Sequence, residues 1–239
     1  MERVLISGGS RGIGAALVRA FAKKGDRVAF LYRASASAAE AVAADCGATP
    51  IPCDIADPDA VRRAVATATA ALGGAPTVLV NNAGISHIGL SRDLTDAQWR
   101  QICDVNLSGA LYLCREVQAG MIAAQYGRII NIGSMWGKVG ASCEVAYSAT
   151  KAALRGLTMA LAKELGPSGI TVNCVEPGLI GTDMNAALDA ETVTALIEET
   201  PVGRIGTPGD VAEAVLFFAD ERAGFITGQI LGVDGGFAV

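Results

Sequence analysis

The sequence predicts an α/β fold, one domain spanning residues 1–239, built on a doubly wound parallel sheet with helices on both faces. Three observations predict it. Short runs of β-branched and other apolar residues alternate with Ala-rich helical stretches along most of the chain. The strand-like runs lack the apolar/polar alternation of a half-exposed sheet, so both of their faces are to be covered, as parallel sheets require. No linker, charge run or low-complexity block separates the two halves, which favours a single doubly wound unit.

The elements follow in order. Strands are expected at residues 4–7, 27–32, 49–53 and 77–80, where β-branched or other apolar residues cluster, with helices over 14–24, 37–45 and 58–72 between them. The Ala/Ser-rich stretch 34–44 reads as helix rather than tether, because alanine has the best helix propensity. In the second half, strands are expected at 128–132, 171–175 and 229–233, with helices over 95–118, 146–165 and 208–219. The segment 95–118 is long and has no clean stop signal, and 182–203 has weak periodicity between Pro177 and Pro208, which suits a mobile lid.

Composition excludes several classes. A net charge of −5 lacks the basic face that nucleic-acid binders concentrate, so no nucleic-acid partner is expected. The six cysteines, Cys46, Cys53, Cys103, Cys114, Cys143 and Cys174, form no C-x-x-C pair and have no histidine near them, so they read as reduced core residues and no metal is expected. No basic-then-apolar leader opens the chain and no apolar run reaches membrane-spanning length; a reducing cytoplasm is the expected home, without a membrane partner.

The first strand runs into Ser7-Gly8-Gly9-Ser10-Arg11-Gly12-Ile13-Gly14, which puts glycines at a turn before a helix. Glycine there lets backbone amides approach a pyrophosphate, and the helix N-terminus adds the positive end of its dipole. The spacing is G-x-x-x-G-x-G rather than the commonest dinucleotide fingerprint, and a plain structural turn is the alternative. At the end of the second strand the chain reads Tyr32-Arg33, without the acid that holds ribose hydroxyls in NAD-specific sites. Arg33, with Arg11 in the loop, offers forked donors to a ribose phosphate, which favours NADP(H); solvated surface charges are the bland reading.

Together with Cys53-Asp54-Ile55, Asn81-Asn82-Ala83-Gly84, Asn106, Ser134, Tyr147, Lys151, Pro177-Gly178, Thr182 and the closing Gly228-Gln229 to Asp234-Gly235-Gly236, these motifs resemble the short-chain dehydrogenase/reductase family, a Rossmann-type fold. Within it they resemble the 3-oxoacyl-[acyl-carrier-protein] reductase-like group, and the likeness runs through essentially the whole chain. Tyr147 and Lys151 are four apart and share a helix face. A cation beside a phenol stabilises the phenolate, so the pair is expected to draw the tyrosine down toward a proton-transfer range. The resemblance assigns Ser134 a hydrogen bond to the substrate oxygen, Lys151 a hold on the nicotinamide ribose, and Asn106 a water that links Lys151 to solvent. These four form the implied catalytic set.

The resemblance also implies a cofactor wall of Gly8, Ser10, Arg11, Gly12, Ile13, Gly14 and Arg33, continued by Asp54, Ile55, Asn82, Ala83 and Gly84. Tyr147, Lys151, Pro177, Gly178, Ile180 and Thr182 complete it at the nicotinamide end. Asp54 reads equally as an adenine contact or as the N-cap of the next helix. His87, the only histidine, reads as an ordinary loop residue. Substrate candidates are Met135, Trp136, Cys143, Glu144, Leu179 and Met184, an apolar set with one acid; several of them read equally well as packing residues.

A 3-oxoacyl thioester is the implied substrate, with acyl carrier protein as a possible bearer. Basic residues that would meet an acidic carrier are absent from the comparable places, which hold Gln125 and Ser168, and Glu144 stands where the resembled group often has an amide. Small ketones, sugars and polyols stay open, as does a non-catalytic NADP(H)-sensing regulator, which would not need the full catalytic set. The resemblance implies a homotetramer; Leu107, Leu111, Leu157, Met159 and Leu161 serve either its interface or the core.

Overall fold

A computed structural model describes residues 1–185 and 189–238. In chain order the elements are β1 (Arg3–Ser7), α1 (Gly12–Lys23), β2 (Arg27–Tyr32), α2 (Ala36–Cys46), β3 (Thr49–Pro52), α3 (Pro58–Leu72) and β4 (Val78–Asn81). Then come α4 (Asp96–Cys103), α5 (Gly109–Ala124), β5 (Gly127–Ile132), the one-turn α6 (Trp136–Val139), α7 (Val145–Leu165), β6 (Ile170–Pro177), α8 (Ala190–Glu199), α9 (Pro208–Ala219) and β7 (Ile230–Val233).

All seven strands pair in parallel in one sheet, in the order β3-β2-β1-β4-β5-β6-β7. Successive residues in a strand point to opposite faces, and both faces are apolar here. Leu5, Leu31, Leu79 and Ile129 pack on one side against α3, α5 and α7. Their neighbours Ile6, Phe30, Val80 and Ile130 pack on the other side against α1, α2 and α9. That two-sided burial is what the lack of alternation in the sequence encodes.

The chain winds outward from β1 to β3 and then returns to the other side of β1 as β4. A crevice therefore opens beyond the carboxyl ends of β1 and β4, where open α/β sheets bind ligands. One side chain sews its two lips together. Asn82 donates through Nδ2 to the carbonyls of Ser7 and Gly8 at 2.9 and 3.0 Å. The Ser7 hydroxyl in turn accepts from the amides of Asn82 and Ala83, both at 3.0 Å.

The helix expected over 95–118 is a continuous helical run that a π turn divides into α4 and α5. α4 opens with a capping box, Thr95 and Gln98 each satisfying the other's amide. It then passes through a wide π turn, Asp104–Ser108, before α5 resumes and runs on to Ala124. Such turns add one residue to the helical circuit and re-aim a side chain, here Asn106. The segment 182–203 contains α8, capped by Asp189, which accepts from the Thr192 amide; the lid expected there includes residues 186–188, which lie outside the described residues. α3 is capped by Asp57 and not by Asp54, whose side chain accepts from the Ala56 amide in the preceding turn.

The apolar residues weighed between core and interface divide. Leu161 is buried and Leu157 packs against the core, whereas Leu111 and Met159 are exposed. Among the described residues no helix is long and apolar enough to cross a membrane. All six cysteines are free thiols.

Candidate active site

A cavity of about 780 Å³ follows the carboxyl ends of the strands, a volume suited to a small-molecule or cofactor site. Its first wall is the turn between β1 and α1. The amides of Gly8 and Gly9 both donate to the Leu31 carbonyl, which pins the turn to the end of β2. Gly8 and Gly12 hold positive φ values of 70° and 53°, in the region that favours glycine. A Cβ on Gly14 would collide with the Gly8 carbonyl and would stand 2.6 Å from Asn82 Nδ2. The first turn of α1 has no side-chain cap and no acid. Its amides are thus free for an anion, whereas α3, α4 and α9 are capped by their own side chains.

Arg11 and Arg33 both line this end of the cavity, on the loops after β1 and β2, with Asp54 on the loop after β3. Ser10, Ile13 and Ile55 line it too, as do Asn82, Ala83 and Gly84 after β4. Asn81, one residue earlier, turns into the sheet, where its amide donates to Asn131 Oδ1 at 2.9 Å and Asn131 donates to Thr158 at 2.8 Å.

At the other end, β5 delivers Ser134 and α7 delivers Tyr147 and Lys151, and all three line the cavity. Tyr147 and Lys151 are buried. The ammonium of Lys151 lies 5.6 Å from the centre of the Tyr147 ring and donates to the Ile132 carbonyl at 2.7 Å. Gly84 backs onto this group: a Cβ there would sit 3.5 Å from Lys151 Nζ.

The expected downward pull of Lys151 on the tyrosine is not what the site produces. Burial pushes the phenol up to about 12, with Ser134 countering and the charge of Glu144 adding to the rise. Burial likewise drives Lys151 down to about 8. Desolvation governs both groups, because both are enclosed and the ammonium is directed at the Ile132 carbonyl. The phenol is therefore held in its protonated form.

Asn106 does not reach the cavity. It is buried behind the wall, where its Oδ1 accepts from the Ile85 amide at 2.8 Å and its Nδ2 donates to the Ile85 carbonyl at 2.9 Å and to Thr150 at 3.2 Å. Both heads of the amide are thus committed to protein partners, and the lining residue they fix is Ile85.

Pro177, Gly178, Ile180 and Thr182, after β6, line the cavity beside this group. Of the substrate candidates, Met135, Trp136, Glu144, Leu179 and Met184 line it and Cys143 does not. Cys143 has a left-handed φ of 63° and its carbonyl accepts from the Gly89 amide; in that turn its neighbours Ser142 and Glu144 form the wall instead.

Several lining residues carried no signal in the sequence. Phe237 reaches the wall from the far end of the chain and meets Trp136 edge-on, ring centres 5.6 Å apart. Asp183, Leu196 and Glu199 come from the segment 182–203, in which the sequence points only to Thr182 and Met184. Thr150 was accessible to helical periodicity, since it lies on the same face three residues after Tyr147, where its hydroxyl donates to the Tyr147 carbonyl.

Comparison with known proteins places the chain among oxidoreductases. Residues 8–238 match the family model described as enoyl-(acyl carrier protein) reductase. The chain is 40% identical over 238 residues to an acetoacetyl-CoA reductase of Shinella zoogloeoides, covering 99% of this chain and 98% of that protein. It is 37% identical to a 3-oxoacyl-[acyl-carrier-protein] reductase of Vibrio cholerae, with 97% and 95% covered. The solved structure of a blue fluorescent protein from a metagenomic library, in complex with NADPH, superposes with a TM-score of 0.92 at 39% identity, covering 99% of this chain and 98% of that one. This chain belongs to the short-chain dehydrogenase/reductase family of oxidoreductases, in its 3-oxoacyl-[acyl-carrier-protein] reductase-like group.

Proposed function

We propose that this protein reduces the ketone of a 3-oxoacyl thioester to a hydroxyl, with NADPH as the reductant. The observation that carries the reading is the convergence of Ser134, Tyr147 and Lys151 at one end of a cavity whose other end holds Arg11, Arg33 and an uncapped helix N-terminus. The residues present fit a dinucleotide: the Gly8–Gly14 turn leaves backbone where a Cβ would collide, and the free amides of α1 suit a pyrophosphate. Arg11 and Arg33 would hold a ribose phosphate by charge-assisted hydrogen bonds, and Lys151, Asn82, Gly84, Pro177, Gly178 and Thr182 would line the nicotinamide half. When bound, the reduced cofactor supplies the hydride.

The protein's own groups orient the carbonyl and manage its proton. Ser134 donates a hydrogen bond to the carbonyl oxygen and stabilises the charge that develops there. Tyr147, held protonated by its burial, donates its phenolic proton to that oxygen. Lys151 lies beside the ring, where its positive charge stabilises the phenolate left behind. Asn106 is a positioning residue that fixes Ile85 and, through Thr150, the turn of α7 bearing Tyr147.

The names of the acetoacetyl-CoA and acyl-carrier-protein relatives support a thioester, on coenzyme A or on a carrier protein. The exposed Leu111 and Met159 on α5 and α7 support a homotetramer, which light scattering would weigh, and the free thiols support a reducing cytoplasm. The functional reading is tested by following NADPH oxidation with acetoacetyl-CoA, other 3-oxoacyl thioesters, small ketones and quinones, with NADH as the cofactor control. Turnover of acetoacetyl-CoA with NADPH, and little with NADH, is expected. Failure to reduce any 3-oxoacyl thioester would sink the reading.

A further inference from the structure

The charges on the cavity wall differ between its ends. Arg11, Arg33 and Asp54 stand on the loops after β1, β2 and β3, whereas the segments around Ser134 and Tyr147 bring three acids: Glu144 ahead of α7, Asp183 after β6 and Glu199 at the end of α8. Among the described residues, Lys151 is the cation on the wall at that end, and its ammonium is engaged with the Ile132 carbonyl. Lys138, on α6, is turned to the Ala238 carbonyl and does not line the cavity.

Glu144 stands closest in the chain to the reacting end. It is half-buried on the same wall as Tyr147, three residues before it, and among the described residues its carboxylate has no hydrogen bond or ion pair. Its charge reaches the Tyr147 phenol, which it pushes upward. Burial raises the carboxyl of Glu144 itself. A half-dehydrated carboxylate without a partner acts most strongly on any charge that enters beside it.

A free 3-oxo acid bears its carboxylate two bonds from the ketone carbon. Seating that ketone between Ser134 and Tyr147 brings a second negative charge into the space that Glu144 faces. An ester or thioester is neutral at the same position, and the phosphates of a pantetheine arm stay far from the ketone. We propose that Glu144 is a specificity-determining residue that excludes free 3-oxo acids while admitting their neutral esters and thioesters. This rests on the ketone-reductase reading above.

The test measures kcat/KM for acetoacetate and for ethyl acetoacetate with NADPH, in the wild type and in Glu144→Gln and Glu144→Ala. The acetoacetate-to-ester ratio is the readout, because any change in Tyr147 acidity affects both substrates and cancels. The ratio is expected to rise about tenfold or more in both variants, since a like-charge contact in such a site is strongly unfavourable. An unchanged ratio in both variants overturns the inference and leaves the reductase reading standing, because ester reduction by the wild type is measured alongside. Absence of ester reduction in the wild type would overturn that reading and this inference together.

Discussion

The ammonium of Lys151 lies 5.6 Å from the centre of the Tyr147 ring, yet its hydrogen bond goes to the Ile132 carbonyl. The lysine thus neighbours the tyrosine without a hydrogen bond to it, and the phenol faces the cavity as a protonated group. Replacing Tyr147 by Phe removes the proposed proton donor without altering the glycine turn. Turnover is expected to fall by about 10²–10⁴-fold, the usual contribution of a positioned acid, while NADPH still binds. Steady-state rates and the enhancement of NADPH fluorescence on binding check the two halves; near-normal turnover in the variant would remove Tyr147 from the mechanism.

Lys151 should cost stability as well as provide chemistry. Its folded pKa, about 8, lies below its ordinary value of 10.5 because burial disfavours the ammonium. Below pH 8 both folded and unfolded states carry the proton and the fold bears the full desolvation cost. Between about 8 and 10.5 the unfolded state binds more protons, so this residue's contribution to stability improves as pH rises. The shift corresponds to about 3 kcal/mol at neutral pH. A Lys151→Met variant recovers that amount but forgoes the bond to Ile132, about 1 kcal/mol. It is expected to be about 2 kcal/mol more stable than the wild type at pH 7 and inactive, with its advantage shrinking from pH 8 to 10.5. Urea denaturation across that range measures the difference, and a variant less stable at pH 7 would contradict it.

Arg33 and Arg11 reach the cavity from separate loops, so their effects on a ribose phosphate can be separated. Arg33→Glu is expected to weaken the preference for NADPH over NADH by about 10- to 100-fold, combining a lost charge-assisted bond with added repulsion. Arg11→Ala should give a smaller change in the same direction. The ratio of kcat/KM for the two cofactors decides it, and equal use of both cofactors by the wild type would refute the role given to both arginines.

The Asn106 side chain holds the main chain of Ile85 from both sides, at its amide and its carbonyl. Asn106→Ala leaves both partly buried groups without their partners and loosens Thr150 as well. A loss of about 2–4 kcal/mol in unfolding free energy is expected, together with reduced kcat. Chemical denaturation reads the first and steady-state kinetics the second. A fully stable alanine variant would mean that the clamp is idle.

The central strands β1, β2, β4, β5 and β6 were legible because both of their faces are buried, which removes polar alternation from a run of residues close in sequence. The glycine turn was legible for the same kind of reason: the close approach of Gly14 to Gly8 is a local constraint that only a missing side chain meets. The spacing of Tyr147 and Lys151 was equally local. The division of 95–118 was not, since the π turn at Asp104–Ser108 matches the demand of Ile85, some twenty residues away, for the Asn106 amide.

Sequence order alone therefore decided which segments form the sheet, where the turn that suits a phosphate lies, and which tyrosine shares a face with which lysine. These depend on periodicity and on contacts within a few residues. Only the folded chain decided that Cys143 leaves the wall while Phe237 joins it, and that Tyr147 is driven up rather than down. Enclosure decides such outcomes, and enclosure is supplied by residues remote in sequence: the desolvation of a buried phenol depends on everything packed around it, which no local pattern records.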